Sequence, residues 1–229
     1  MRVYPADHPV LLNSPAFSSK IQREKICQIM FGSFPFSLNP RDFFQPILYT
    51  ETFNTPAMYI ALESVLGLYS SGRCSGIVLD IGDGLAQAVP IFEGYAMTGA
   101  ITRLDIGGRD ITRFLANLMN QKGFGFGTTA EFEIAREVKE KLGYVAFDFQ
   151  TELDLNEFRH SRMYSLTDSR DLLIGHERFI APECLFQPSL LGRDEEGIHK
   201  MLARSMNACL PLPFTLLCSS DTLVIGERH

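Results

Sequence analysis

Between residues 76 and 105 the apolar positions fall in three short runs, 76–81, 85–92 and 97–105, set apart by glycine-containing breaks. Runs of this length bounded by turn residues predict strands. The first break contains Asp83 and Gly84, a pair that predicts a hairpin in which Gly84 supplies the positive φ of a tight primed turn. Upstream, "HPVLL" predicts a short strand, and "SSKIQREKICQIMF" predicts a helix that turns Ile21, Ile26, Ile29 and Met30 to a core. "TPAMYIALESVLGLYSSG" predicts a second helix, with Thr55 as N-cap, Pro56 at the first helical position and Gly72 ending it.

Downstream, Ile111, Phe114, Leu115 and Leu118 recur at helical spacing. "TTAEFEIAREVKEKLGY" predicts a further helix, opened by a Thr128-x-x-Glu131 capping box. "MYSLTD" and "DLLIG" predict strands on either side of a polar turn, and "FIAPECLFQPSLLG" predicts short helical turns broken by Pro182 and Pro188. This alternation of strands and helices predicts an α/β protein.

Two stretches break the texture. Residues 32–50, "GSFPFSLNPRDFFQPILYT", hold three prolines and many aromatics with no sustained period, so no helix continues through them. An extruded surface loop is expected there, because Pro35, Pro40 and Pro46 break regular elements and Asn39, Arg41 and Asp42 would need buried partners. The final stretch, "LPLPFTLLCSSDTLVIGERH", is apolar, proline-broken and unlike the rest. Insert and tail are both expected to be mobile, on an otherwise marginal fold.

Composition narrows the function classes. The chain has 229 residues, enough to bury a core, and a formal net charge of −6 with no run of positive charge, which argues against a nucleic-acid surface. Five cysteines at wide spacing form no C-x-x-C pair, so neither a disulfide framework nor a zinc site is expected, and a reducing compartment fits. No stretch has the length and apolarity of a signal peptide or a membrane span. The histidines His8, His160, His176 and His199 lack metal-ligand spacing, and no nucleophile elbow is present. Met58, Met97, Met119 and Met163 are expected in the core or at subdomain contacts.

The chemistry concentrates in "LDIGDG". Backbone N–H groups in a glycine-rich turn make an anion cradle, since no Cβ blocks close approach, and Asp80 and Asp83 add carboxylates. A plain hairpin is the alternative reading. Arg136, Lys139 and Glu140 stand at i, i+3 and i+4 and so share one helix face, which on its own reads equally as a solvated surface.

Taken together, "TFNTPAMYIALESVLGLYSSGR", "GIVLDIGDG", "VPIFEGYA", "RLDIGGRDIT", "TTAEFEIAREVKEKLGYVAFDF" and "ERFIAPECLFQPSLLG" resemble the actins. The resemblance runs from about His8 to Gly197–His199 and skips residues 32–50. It implies an α/β fold of the actin-like ATPase type with ribonuclease-H-like lobes, here incomplete, since strings matching the upstream phosphate hairpin and the later Gly-Gly-Thr loop are not found. It also implies a layout. Residues 1–75 are the later part of the first lobe and 76–106 the phosphate-hairpin strands of the second. Residues 107–192 form the outer subdomain with the adenosine-side helix, and 193–229 a second-lobe remnant with a divergent tail.

By the same resemblance Gly82, Asp83 and Gly84 grip phosphates, and Asp80 holds water on the cation. Gly107 and Gly108 form a close-packed turn beside the nucleotide, while Arg136, Lys139 and Glu140 face the adenosine. The implied cofactor is ATP or ADP with Mg²⁺ or Ca²⁺. Glu63 stands at the family's water-positioning glutamine and Gln87 at its proton-relaying histidine, and Ile81 replaces a serine. Gln87 takes up no proton near neutrality, so impaired hydrolysis is expected. The implied function is a cytoskeletal or assembly-scaffold component, cytoplasmic or nuclear, with actin or actin-binding proteins as partners and neither nucleic-acid binding nor membrane insertion. An active ATP-hydrolysing filament subunit and a non-functional or regulatory fragment of an actin are the alternatives.

Overall fold

The computed structural model describes residues 4–31, 53–165, 171–209 and 223–227, which divide into two compact units, Met1–Cys74 and Ser75–His229. The segment 32–50 and the polar turn after "MYSL" lie outside the described residues.

In the first unit, β1 (Val10–Ser14) pairs in parallel with β2 (Met58–Leu62), in register from Val10 opposite Met58 to Ser14 opposite Leu62. Between them in sequence comes α1 (Lys20–Phe31), whose first turn is closed by Ser19 and Gln22. The Ser19 N–H donates to Gln22 Oε1 at 2.9 Å, and the Gln22 N–H donates to Ser19 Oγ at 3.2 Å. The expected core face of α1 does not form. None of its residues is buried, and Ile21 is 77% exposed. Each helical residue advances about 100°, so Ile21, Ile26, Ile29 and Met30 spread over roughly half the circumference and make no narrow stripe.

The helix expected from Pro56 to Gly72 is also corrected. Its first part is β2, and only α2 (Glu63–Ser70) is helical. Thr55 is no N-cap: its N–H and Oγ1 both donate to the Met30 carbonyl, at 3.1 and 3.2 Å, and it is buried. The run Met58–Leu62 is held extended by its ladder to β1, so tertiary pairing outweighs the local helix-start signal. The C-terminal expectation holds, since Gly72 follows the Ser71 cap at φ +77.

The second unit is built on one sheet. β3 (Gly76–Ile81) and β4 (Ala86–Phe92) are antiparallel, in register from Gly76 opposite Ile91 to Ile81 opposite Ala86. β5 (Tyr95–Ala96) and β6 (Thr102–Leu104) both pair antiparallel with β4. β3 and β4 are almost wholly buried, and their apolar runs have no polar face to alternate with.

α3 (Gly108–Gln121) buries Ile111, Thr112, Leu115, Ala116 and Met119, with Phe114 and Leu118 half-buried at its flank. α4 (Thr129–Leu142) opens on the expected capping box. Thr128 Oγ1 accepts from the Glu131 N–H at 3.3 Å, and Glu131 Oε2 accepts from the Thr128 N–H at 2.7 Å. Then come α5 (Phe149–Asp154), α6 (Glu157–His160) and an antiparallel pair, β7 (Arg162–Ser165) with β8 (Asp171–Ile174). Met163 lies on the open face of that pair, 65% exposed, so of the two places expected for it, core or subdomain contact, the core is excluded. Its cross-strand partner Leu173 is 50% exposed, while Leu172 and Ile174 on the other face are buried.

α7 (Glu177–Glu183) packs on α3, and its Ala181 belongs to the same core cluster as Ile111, Leu115 and Met119 of α3. α8 (Ile198–Ala208), which the sequence reading did not foresee, lies over β4 and β6. It is tied there by Thr102 Oγ1 donating to Met201 O at 3.1 Å and Ser205 Oγ to Ala100 O at 2.7 Å. The tail brings a further correction. Residues Leu223–Glu227 form β9, parallel to β3 and in register from Ile77 opposite Leu223 to Ile81 opposite Glu227. The sheet order is therefore β5-β4-β3-β9. An apolar segment that satisfies the open backbone edge of β3 is a strand by pairing, whatever its own propensity.

Candidate functional site

The loop between β3 and β4 is residues 82–85, with the Gly82 N–H donating to Leu85 O at 2.9 Å. Gly84 is not left-handed, contrary to the expectation from the Asp-Gly pair. Among the described residues the left-handed glycines are Gly72, Gly94, Gly123, Gly125 and Gly192. The four-residue loop spreads the reversal over more bonds than a two-residue primed turn does, so no positive φ is needed at 84.

The loop is polarised. Its carbonyls point back into the protein: Gly82 O accepts from the Gly108 N–H at 2.9 Å, and Asp83 O from the Arg109 N–H at 2.8 Å. Gly107 permits this contact, since a Cβ on it would sit 2.5 Å from Asp83 O and 2.6 Å from Gly82 O. The N–H groups of Asp83 and Gly84 carry no hydrogen bond among the described residues. A Cβ added at Gly84 would meet nothing within 4 Å. Carbonyls tied down and amides left open form an anion-receiving surface at a bare turn, and this fits a phosphate group.

Side chains brace the loop. Arg109 Nη2 donates to Asp83 Oδ2 at 2.5 Å, an exposed ion pair. Gln87 lies opposite Asp80 in the ladder, and its Nε2 donates to Asp80 Oδ2 at 3.0 Å. Gln87 is 1% exposed, and its Oε1 is buried with no partner among the described residues. Behind the loop, the Gly107 N–H donates to Asp110 Oδ2 at 3.2 Å, and Asp110 Oδ1 accepts from Arg193 Nη2 at 3.0 Å. Arg193 also donates to the Asp105 carbonyl, which fixes the end of β6 to the first turn of α3.

On α4, Lys139 reaches this assembly, with Nζ donating to Gly108 O at 3.3 Å. Arg136 instead pairs along its own helix, with Glu133 at 2.9 Å and Glu140 at 3.7 Å. The structure therefore brings together Asp80, Gly82, Asp83, Gly84, Gln87, Gly108 and Lys139. Arg136 and Glu140 remain on the same helix as Lys139 and bonded to each other. Glu63 opens α2 in the first unit, half-buried, and is described with that unit alone.

Sequence reasoning did not single out Arg109 or Arg193. For Arg109 a signal existed, because "GGRD" places it directly after the glycines that must approach the loop. For Arg193, which acts on a residue 83 positions earlier, no local pattern pointed the way. Among the described residues no helix is long and apolar enough to cross a membrane.

The family model described as Actin matches residues 47–211. That span is more than half of the chain, takes in the hairpin, α3, α4, α7 and α8, and ends beyond the Gly197–His199 limit set by the resemblance.

Proposed function

The chain belongs to the actin family, with an incomplete actin-like fold, and from that premise we propose that it is a cytoskeletal or assembly-scaffold component. In this reading it keeps the phosphate hairpin as a weak nucleotide-holding element and does not hydrolyse ATP efficiently. Members of the family typically bind ATP or ADP with a divalent metal, and such a group supplies charge and phosphate geometry when bound. The Asp83 and Gly84 amides would take phosphate oxygens, Asp80 would hold a water on the cation, and Lys139, Arg136 and Glu140 would border the nucleoside. The proposed layout keeps residues 1–75 as first-lobe, 76–106 as hairpin strands, 107–192 as outer subdomain and 193–229 as second-lobe remnant. Actin or actin-binding proteins are the proposed partners, in the cytoplasm or nucleus.

The observation that carries the loss of hydrolysis is the Asp80–Gln87 contact. An amide at this position donates to the carboxylate and cannot accept a proton from attacking water, so the general-base path through residue 87 is closed. Loss of such a group commonly costs about 10²–10⁴ in rate. Fluorescent ATP titration with Mg²⁺ or Ca²⁺, run beside phosphate release, tests the reading. We expect binding weaker than micromolar and phosphate release at the buffer rate. Micromolar affinity with steady turnover would establish the active-subunit alternative instead.

A further inference from the structure

The tail strand β9 ends beside the hairpin loop. It runs parallel to β3, and the register holds without a break from Ile77 opposite Leu223 to Ile81 opposite Glu227. Parallel pairing brings the carboxyl ends of both strands to one end of the sheet, and there the loop 82–85 begins. In this unit β3 and β9 are the one parallel pair among the described residues. The crevice outside the carboxyl ends of parallel strands is where open α/β sheets receive their ligands.

One row of residues crosses the sheet at this end. Gly226 of β9 stands opposite Asp80 of β3, Asp80 opposite Gln87 of β4, and Gln87 opposite Arg103 of β6. Directly opposed residues share a face of the sheet. Their neighbours on that face, Val78 and Val89, are buried and apolar, so the row is a polar line in an apolar setting with one bare position. Arg103 turns to Asp105, with Nε at 2.5 Å from Oδ1. Asp80 is half-buried and accepts from Gln87 Nε2 on its β4 side. On its β9 side stands glycine, where a Cβ would lie about 4.8 Å from that of Asp80 on the same face. Gln87 Oε1, in the carboxamide that meets Asp80, is buried with no hydrogen-bond partner among the described residues.

We infer that β9 forms a wall of the phosphate site, and that its Gly226 keeps the flank of Asp80 open for a hydrated divalent cation. Resting on the nucleotide reading, this role gives the tail strand a part in the site. Glycine inside a strand weakens it, and its usual reasons are a bulge, a tight bend or a close approach. The unbroken register leaves no bulge at 226. Close approach has a use here, because the groups around the gap are acceptors, the Asp80 carboxylate and the unpartnered Gln87 oxygen. What they lack is donors and positive charge. A hydrated cation brings both, since small divalent ions keep several waters while bound through one or two carboxylates and a phosphate. A branched side chain at 226 would stand where those waters must sit.

Mn²⁺ binding to the full chain tests it, read by electron paramagnetic resonance of free Mn²⁺ and by Mn²⁺ broadening of backbone amide NMR signals, each with and without inorganic triphosphate. In wild type we expect saturable binding, with broadening at residues 80–84 and 226–227 together that fades toward Ile77 and Leu223. Gly226→Val should weaken Mn²⁺ binding at least about tenfold, the scale on which loss of groups around a metal's ligands acts. Hydrogen exchange at 77–81 and 223–227 should stay as slow or slow further, since valine favours a strand. Equal Mn²⁺ affinity in wild type and Gly226→Val, with β9 still protected, would overturn the role of Gly226 and leave the nucleotide reading standing. So would broadening at 80–84 that spares 226–227 in wild type, a readout that needs no variant and decides the matter if β9 loses protection in Gly226→Val. Absence of Mn²⁺ binding by wild type, with and without triphosphate, would overturn both.

Discussion

β4 is entered and left through turns that look alike in sequence, Asp83-Gly84 and Glu93-Gly94, yet the two glycines are there for different reasons. At the second, Glu93 (φ 49) and Gly94 (φ 84) are both left-handed, and Phe92 pairs directly with Tyr95. This is the two-residue primed hairpin, whose geometry demands glycine. At the first, Gly84 has neither a left-handed backbone nor a neighbour in the way of a Cβ. The fold does not require glycine at 84. A residue bare without structural need, between unbonded amides, is what close approach by a ligand requires. Gly107 gives a third case, bare because backbone occupies the space.

The largest effect that would break this comparison is expected at Gly107. In Gly107→Ala the methyl lands 2.5 Å from Asp83 O, a backbone atom that cannot rotate aside. Overpacking of this kind costs about 1–3 kcal/mol, and here it also parts the first turn of α3 from the loop. Urea unfolding should show the loss, and exchange at residues 82–85 should rise. An unchanged midpoint would mean that the contact between glycine turn and loop is looser than drawn. Gly94→Ala comes next, at about 1–2 kcal/mol, since alanine must then hold a left-handed backbone. Its effect should appear as stability alone, with no change in any phosphate-dependent signal.

Arg109→Ala sharpens the contrast on the side of the loop's bracing. The Arg109 and Asp83 side chains are more than half exposed, so the pair contributes about 0–1 kcal/mol, and less in high salt. The Arg109 backbone N–H still holds Asp83 O, and the loop should keep its shape. A loss well above that range, independent of salt, would show the guanidinium to be part of the loop's framework.

How much of this was legible beforehand depended on whether the cause was local. The buried runs of β3 and β4 declared themselves because strands covered on both faces are apolar throughout, and the capping box of α4 lies within four residues. Residues 58–62 misled because the Thr55-Pro56 helix-start signal is local, while the ladder that overrides it comes from β1, 48 positions away in register. β9 misled for the same reason, its strand state being conferred by the edge of β3. In the site, Asp80, Gly82, Asp83 and Gly84 were visible as a motif. That Gln87 touches Asp80 follows only from the register, and that Arg193 secures Asp110 follows only from the fold.

The smallest expected change in stability is the most informative. Gly84→Ala adds a methyl into open space on a backbone that alanine can adopt. Stability should move by less than about 0.5 kcal/mol, or rise slightly, because alanine lowers the entropy of the unfolded chain. The same methyl would stand among the open amides of Asp83 and Gly84, where a phosphate oxygen must approach to hydrogen-bond distance. Whatever protection ATP or inorganic triphosphate gives to residues 82–85 in hydrogen exchange should therefore fall in the variant, while the unfolding midpoint stays. If Gly84→Ala loses stability as Gly94→Ala does, the glycine is architectural and the two turns differ only in length. If it keeps both stability and the ligand-dependent protection, phosphate does not seat on this turn, and the bare position has another cause.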